Sequence, residues 1–154
     1  MTEHDTPEEA RAVEQTVRIA ARPETVWRYW TEPERMCDWW GTAAELDPRP
    51  GGACRVEMGA GRTMSGEFLE LVPYERIVFS FGWKPTDVAP NVPPGSTRVE
   101  VTLTADAGDT ILTLRHTGLP AADADEHRAG WALFLPRLAA AVAVVASEDS
   151  DGAR

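Results

Sequence analysis

The segment AADADEHRAGWALFLPRLAAAVAVV, residues 121–145, decides the fold. Apolar side chains and one histidine recur in it every three or four residues, the period of one face of an α-helix. A helix of about 25 residues, rising about 1.5 Å per residue, is long enough to cross a whole β-sheet. Pro136 lies inside the segment and removes one backbone donor, so we expect a kink or bulge there. The predicted apolar face consists of His127, Trp131, Phe134, Leu135, Leu138, Val142 and Val145.

The chain between Gly41 and Gly118 is predicted to form the sheet that this helix covers. Its strands alternate between apolar and polar residues, with turn sequences such as Asp106-Ala107-Gly108-Asp109 between them. Such alternation is typical of an antiparallel sheet with one wet face and one covered face. The clearest examples are Ile77, Phe79, Phe81 and Trp83 on one face of a strand, and Val99, Val101 and Leu103 on one face of the next.

The residues before the sheet predict one further strand and two short helices. Residues 13–19 approximately alternate, with Val17 and Ile19 inward. Pro23 suits the first position of a helix, and the spacing Thr31-x-x-Glu34 is that of a capping box that would start a second helix. The apolar face of the first helix would be Val26, Trp27 and Trp30. The element order predicts a single α+β domain.

Length and charge set the domain boundaries. A chain of 154 residues suffices for one domain with a substantial core. We predict this domain over residues 13–146. Residues 1–12 and 147–154 are acidic, poor in apolar side chains, and together carry half of the net charge of −10. We therefore expect both tails to be disordered and dispensable.

Composition also excludes several classes of function. The sequence contains no run or stripe of Lys and Arg that could bind the phosphates of a nucleic acid. It also contains no run of about 18 apolar residues, the length that a membrane-spanning helix requires. The N-terminus lacks the apolar stretch of a secretory signal. Cys37 and Cys54 fit no metal-type spacing and indicate reduced thiols of a cytoplasmic protein rather than a disulfide.

Four stretches carry a resemblance to a known family. In chain order they are PETVW at 23–27 with Trp30-Thr31, WWG at 39–41, GEFLE at 66–70 with Pro73 and ERIVF at 75–79, and HTGLP at 116–120 followed by Gly130-Trp131 and Leu135. Over residues 13–145 the chain thus resembles bacterial single-domain members of the family named after the activator of the ninety-kilodalton heat-shock protein ATPase. This family belongs to the START-related, Bet v 1-like SRPBCC superfamily. The resemblance implies a helix-grip fold, in which a curved antiparallel sheet wraps around a long C-terminal helix, with two short helices after the first strand.

The resemblance also implies a ligand-binding cavity between the sheet and the long helix. The alternation of the strands and the period of the helix select nearly the same residues. The place of Phe68 depends on whether Gly66 marks a bulge that flips the register. The sheet side would be Val56, Met58, Phe68, Phe79, Phe81, Leu103, Leu114 and His116; the helix side His127, Trp131, Phe134 and Leu135; and the mouth Trp39 and Trp40.

The two inward histidines, His116 and His127, are the candidate polar groups of this cavity. They could be an acid/base pair, ligand contacts, or hydrogen-bonded core residues. Inward carboxylates are scarce, since Glu57 and Glu100 alternate outward and only Glu70 is a candidate. We therefore expect two neutral imidazoles that offer a hydrogen bond to a ligand. The sequence shows no nucleophile motif and no set of metal ligands, and it implies no cofactor.

Three functional hypotheses follow. The first is a carrier or sensor that binds a small hydrophobic molecule by burying its area rather than by ion pairing. The second is a cyclase-, aromatase- or hydrolase-type enzyme that uses the same cavity, with the two histidines and Arg55 or Arg115 near the rim. The third is a chaperone-binding protein, which rests on the family name; the chaperone activators carry a second domain, for which this chain has no room.

The sequence predicts no oligomeric state. The long proline-rich loop Lys84 to Ser96, with Trp83 beside it as a rim or lid residue, is a further candidate for function.

Overall fold

The fold is described from a computed structural model, which covers residues 12–59, 61–84 and 91–152, with only the backbone of residues 145–152. One strand and two short helices come first, six strands follow, and one long helix comes last. They are β1 (Val13–Ile19), α1 (Pro23–Thr31), α2 (Pro33–Met36), β2 (Ala43–Leu46), β3 (Ala53–Gly59), β4 (Arg62–Val72), β5 (Arg76–Phe81), β6 (Thr97–Asp106), β7 (Asp109–Thr117) and α3 (Ala121–Gly152).

The seven described strands form one antiparallel sheet in the order β1-β7-β6-β5-β4-β3-β2. The predicted hairpin joins β6 to β7, with positive φ angles of 55° at Ala107 and 89° at Gly108. Two register shifts, between Glu57 and Gly59 and between Phe68 and Glu70, interrupt the ladders of β3–β4 and β4–β5. Such irregularities bend strands and help a sheet to curve. The predicted α+β fold with a long C-terminal helix is confirmed.

Helix α3 packs its apolar face against the sheet. Trp131, Leu135, Leu138 and Val142 are all buried, as the helical period predicts. The helix continues through Pro136, which lies on its exposed side. It is longer than predicted and extends to Gly152, so the backbone of residues 147–152 is helical. Residues 1–11 of the predicted N-terminal tail lie outside the described residues.

The two short helices form as expected, but the predicted capping box is wrong. Thr31 is the last residue of α1, and its hydroxyl donates a hydrogen bond of 3.0 Å to the carbonyl of Trp27. Helix α2 begins at Pro33, which lacks a backbone N–H and holds Glu32 in an extended conformation at the N-cap. In α1, Val26 and Trp30 are buried whereas Trp27 is only half-buried.

Glycine 66 marks a close approach of two strands rather than a bulge. A Cβ atom at Gly66 would lie 1.9 Å from the backbone carbonyl oxygen of Ser80. The register shift lies further along β4, after Phe68, so Phe68 keeps its inward direction and is fully buried. The glycine itself marked Gly66 as an unusual position of the strand, but the sequence did not indicate that the backbone of Ser80 lies against it.

Cys37 is half-buried and Cys54 is buried, and both are free thiols. Within the described part of the chain, no helix combines the length and the hydropathy needed to cross a bilayer.

We expect Gly66→Ala to destabilise the protein by about 1–3 kcal/mol, because the new methyl group overlaps the backbone of Ser80, which can move only with its strand. Urea unfolding followed by circular dichroism measures the loss. Ser65→Ala, one residue earlier on the same strand, is the control and should change the free energy of unfolding by much less. Equal stability of the Gly66→Ala variant and wild type would contradict this close approach.

Candidate functional site

A cavity of about 140 Å³ lies between the first half of α3 and one end of strands β3, β4 and β5. An engineered protein cavity of similar size, about 150 Å³, holds a benzene molecule. The space therefore suits a ligand with the bulk of a single aromatic ring. Its lining consists of Trp40, Met58, Arg62, Phe81, Trp83, Glu126, His127, Gly130, Trp131 and Phe134.

Aromatic rings make the walls of this cavity. Trp40 and Phe81 lie nearly parallel, with centroids 6.4 Å apart and planes inclined by 4°. Trp131 approaches Trp40 from the helix, at 5.1 Å between centroids. Trp83 meets Phe81 edge to face at 5.5 Å. Each ring packs on at least one other, so the walls support one another.

His116 is held by hydrogen bonds to the protein through both ring nitrogens. Its Nδ1 accepts from the indole N–H of Trp131 at 3.1 Å. An indole nitrogen can only donate, so Nδ1 carries no proton and the neutral ring bears its proton on Nε2. That nitrogen lies 2.8 Å from Oγ1 of Thr97, whose hydroxyl in turn donates to the carbonyl of Phe81 at 2.7 Å.

His127 has the same kind of arrangement with the opposite tautomer. The indole N–H of Trp83 donates to Nε2 at 3.0 Å. Nδ1 therefore carries the proton, and it donates to the backbone carbonyl of Asp123 one helical turn away, at 2.8 Å. The two imidazole rings lie edge to face, 5.7 Å apart.

These bonds leave neither histidine free for acid/base chemistry. A proton on His116 Nδ1 or His127 Nε2 would abolish the bond from the indole. Burial, and secondarily the neighbouring His127, lower the pKa of His116 to about 3. The neutral state predicted for His116 agrees with this lowered pKa. The expected hydrogen bond to a ligand does not agree with the geometry of the two rings, because the protein already occupies all four ring nitrogens.

The predicted site residues divide into two groups. The structure brings six of them together around the cavity: Trp40, Met58, Phe81, His127, Trp131 and Phe134. The others are buried elsewhere in the core and do not line it: Trp39, Val56, Phe68, Phe79, Leu103, Leu114, His116 and Leu135. Trp39, expected at the mouth, instead donates its indole N–H to the carbonyl of Tyr29 at 3.0 Å.

The charged residues predicted near the rim lie away from the cavity. Arg55 alternates outward on β3 and pairs with Glu45 at 2.8 Å, and Arg115 does not line the cavity. Glu70 is exposed and pairs with Arg76 at 2.9 Å, so it is not an inward acid. Among the described residues, no group of three or more His, Cys, Asp or Glu side chains could hold a metal ion.

Sequence reasoning missed Arg62, Glu126 and Gly130 and left Trp83 undecided between rim and lid. Signals for the missed residues were present. Arg62 shares the inward parity of Met64 and Phe68 on β4, and residues 126, 130 and 134 are spaced by one helical turn. No local pattern of the sequence indicates that Arg62 on β4 and the row of residues 126, 130 and 134 on α3 line the same cavity.

Comparison with known proteins identifies the family. The family model for activator of Hsp90 ATPase homolog 1-like proteins matches residues 20–143. The chain belongs to this family. An AHSA1-like protein from Rhizobium etli is 41% identical, with a TM-score of 0.66 over 85% of this chain and 81% of its own. No protein of curated function matches the chain in sequence.

Two other solved structures are also similar to this chain. A protein from Chromobacterium violaceum is 26% identical, with a TM-score of 0.72 over 86% of this chain and 96% of its own. DynU16, from the dynemicin biosynthetic locus, is 28% identical, with a TM-score of 0.68 over 86% of this chain. The present chain spans only 46% of the length of DynU16.

We expect the stability of the protein to fall as the pH is lowered from 6.5 towards 3. The pKa of His116 is about 3 in the folded state and 6.5 in the unfolded state, so only the unfolded chain binds the proton in this window. The slope contributed by one such group is about 1.4 kcal/mol per pH unit. Because the unfolded histidine is only half protonated at pH 6.5, the full slope is reached at lower pH, and the loss of unfolding free energy between pH 6.5 and 5 should be about 1.6 kcal/mol.

Urea unfolding at each pH measures this loss, and His116→Gln should show a flatter profile over the same window. Nitrogen-detected NMR of the wild-type ring gives a second readout, in which the Nε2–H tautomer should persist from pH 8 to 5. A His116 ring that titrates near pH 6.5 in the folded protein would contradict the buried, doubly bonded imidazole.

Proposed function

We propose that this protein binds a small hydrophobic molecule, about the size of one aromatic ring, in the cavity beneath α3, and acts as a carrier or sensor for it. The observation that supports this proposal is an aromatic-walled cavity in which two of the three lining indole N–H groups are already paired with protein. The N–H groups of Trp83 and Trp131 both donate to histidines. A ligand in the inner part of the cavity would thus gain by burying apolar area, at about 25 cal/mol per Å².

The composition of the lining favours binding over catalysis. Of the described residues around the cavity, only Arg62, Glu126 and His127 have titratable side chains. His127 is committed to Trp83 and Asp123, and Glu126 is exposed. General acid/base catalysis needs a group that can exchange a proton with the substrate, and His127 has no nitrogen left for this. The enzyme hypothesis would have to rely on Glu126.

Two further observations bear on the ligand and on the cellular role. DynU16 belongs to a biosynthetic locus, which supports a small organic molecule as the ligand of a relative. The family is named after activators of a chaperone ATPase, and the described residues show no surface feature that favours a chaperone as partner. A cytoplasmic location remains a prediction from the two free thiols.

We expect Gly130→Leu to block ligand binding without destabilising the fold. A Cβ atom at Gly130 would meet no atom within 4 Å, so a side chain there extends into the cavity. Leucine also raises helix stability over glycine by about 0.8–1 kcal/mol. Toluene titrated into labelled protein, followed by the indole N–H resonances of Trp83 and Trp131, measures binding. Gly130→Ala should have an intermediate effect.

The matched control is Ala132→Leu, on the exposed side of the same helix, which should leave toluene binding unchanged. Toluene binding at wild-type strength in folded Gly130→Leu would show that the ligand site lies elsewhere.

We expect Phe134→Ala to weaken toluene binding by about tenfold, the equivalent of about 1.4 kcal/mol of lost apolar contact. Phe134 is only half-buried, so the fold should survive the change, which circular dichroism checks. Leu133→Ala removes a neighbouring side chain that points to solvent and should not alter the affinity. Equal affinities of the two variants would argue against Phe134 as a wall of the site.

A further inference from the structure

Arg62 is an inward-facing arginine at the mouth of an apolar cavity. It is the first residue of β4, and the alternation of that strand places it on the face of Met64 and Phe68, which are both fully buried. At the end of the strand the side chain leaves the core and lines the cavity. Its guanidinium carbon lies over the ring of Trp83, 5.4 Å from the centroid. The cation–π contact holds the positive charge against the cavity wall.

Arg62 forms no ion pair within the described part of the chain. In this acidic protein most of the other described arginines do pair with carboxylates, such as Arg18 with Asp106 at 2.7 Å and Arg76 with Glu70 at 2.9 Å. Glu126 lines the same mouth, yet it forms no ion pair with Arg62. An arginine presents five N–H donors in a planar fork that matches an acid group.

Glu126 raises the opposite alternative of a cationic ligand. Among the described residues, none holds its carboxylate against the wall, and it is an exposed residue on the flank of α3. The ring of Trp83, a favourable place for a ligand cation, already carries Arg62. A bound cation would lie beside this guanidinium and be repelled by it, whereas an anion would be attracted.

We propose that the ligand is a small organic anion, with an apolar body the size of one ring inside the cavity and an ionised acid group at Arg62. This inference rests on the proposed function and names the class of its ligand. The affinity comes mainly from burial of the body. The guanidinium at the mouth selects the charge of the exposed end.

Three probes of nearly one shape test the charge: benzoate, benzamide and benzamidinium, with charges of −1, 0 and +1. We expect benzoate to bind about tenfold more tightly than benzamide, and benzamidinium to bind most weakly. Because Arg62 is exposed, the preference for benzoate should shrink as the salt concentration rises. Dissociation constants from the indole N–H resonances of labelled protein give the comparison.

Substitutions at Arg62 and Glu126 show which of the two charges causes the preference for benzoate over benzamide. Arg62→Gln should abolish the preference, so that the dissociation constants of benzoate and benzamide become about equal in this variant. Glu126→Gln, the matched control, should keep the preference for benzoate or increase it. Tightest binding of benzamidinium, or a preference for benzoate that survives Arg62→Gln, would overturn the inference.

Toluene separates this inference from the proposed function. If toluene and benzamide bind but benzoate gains nothing, the cavity is a ligand site and the assignment to anions is wrong. If none of the four molecules binds, the proposed function fails as well.

Discussion

Two buried indole–imidazole hydrogen bonds join the long helix to the sheet, and the arrangement of the site depends on them. Trp131 on α3 donates to His116 on β7, and Trp83 after β5 donates to His127 on α3. The bonds run in opposite directions across the same interface. A buried N–H without an acceptor costs about 1–3 kcal/mol, so both pairs oppose any shift or rotation of the helix. Since Trp83 and Trp131 are held at their indole N–H groups, these two rings cannot turn to fill the space beside them, and a cavity remains.

The same bonds decide what the two histidines can do. An imidazole that accepts from an indole through one nitrogen and donates through the other has a fixed tautomer and no group left for a ligand. His116 and His127 are therefore structural parts of the site. The chemistry available to a bound molecule comes from the shape of the aromatic walls and from the charges at the mouth.

Gly130 shows that the cavity is kept at some cost to stability. Glycine in the interior of a helix is less favourable than alanine by about 1 kcal/mol. Here a Cβ atom would meet only open space, so close packing does not explain the glycine. A larger residue would give a more stable helix and a better filled core. Departures of this kind from local preference are typical of functional sites.

The fold and the inward-facing residues could be predicted from the sequence because side-chain direction is a local property of strands and helices. The alternation of Val99, Val101 and Leu103 and the period from His127 to Val142 were enough: these residues are buried, except Phe134, which is half-buried. Local patterns do not tell which inward side chains touch one another and which leave a gap. Phe79 and Phe81 share one face of β5, yet only Phe81 lines the cavity.

Only the tertiary structure decided the members of the site and the partners of its polar groups. Trp83 and His127 are 44 residues apart in the chain, and Arg62 comes from a different hairpin. Their meeting depends on where α3 crosses the sheet and on the curvature that the register shifts allow. Hydrogen bonds and cation–π contacts act over a few ångströms, so they exist only once distant segments have been brought together.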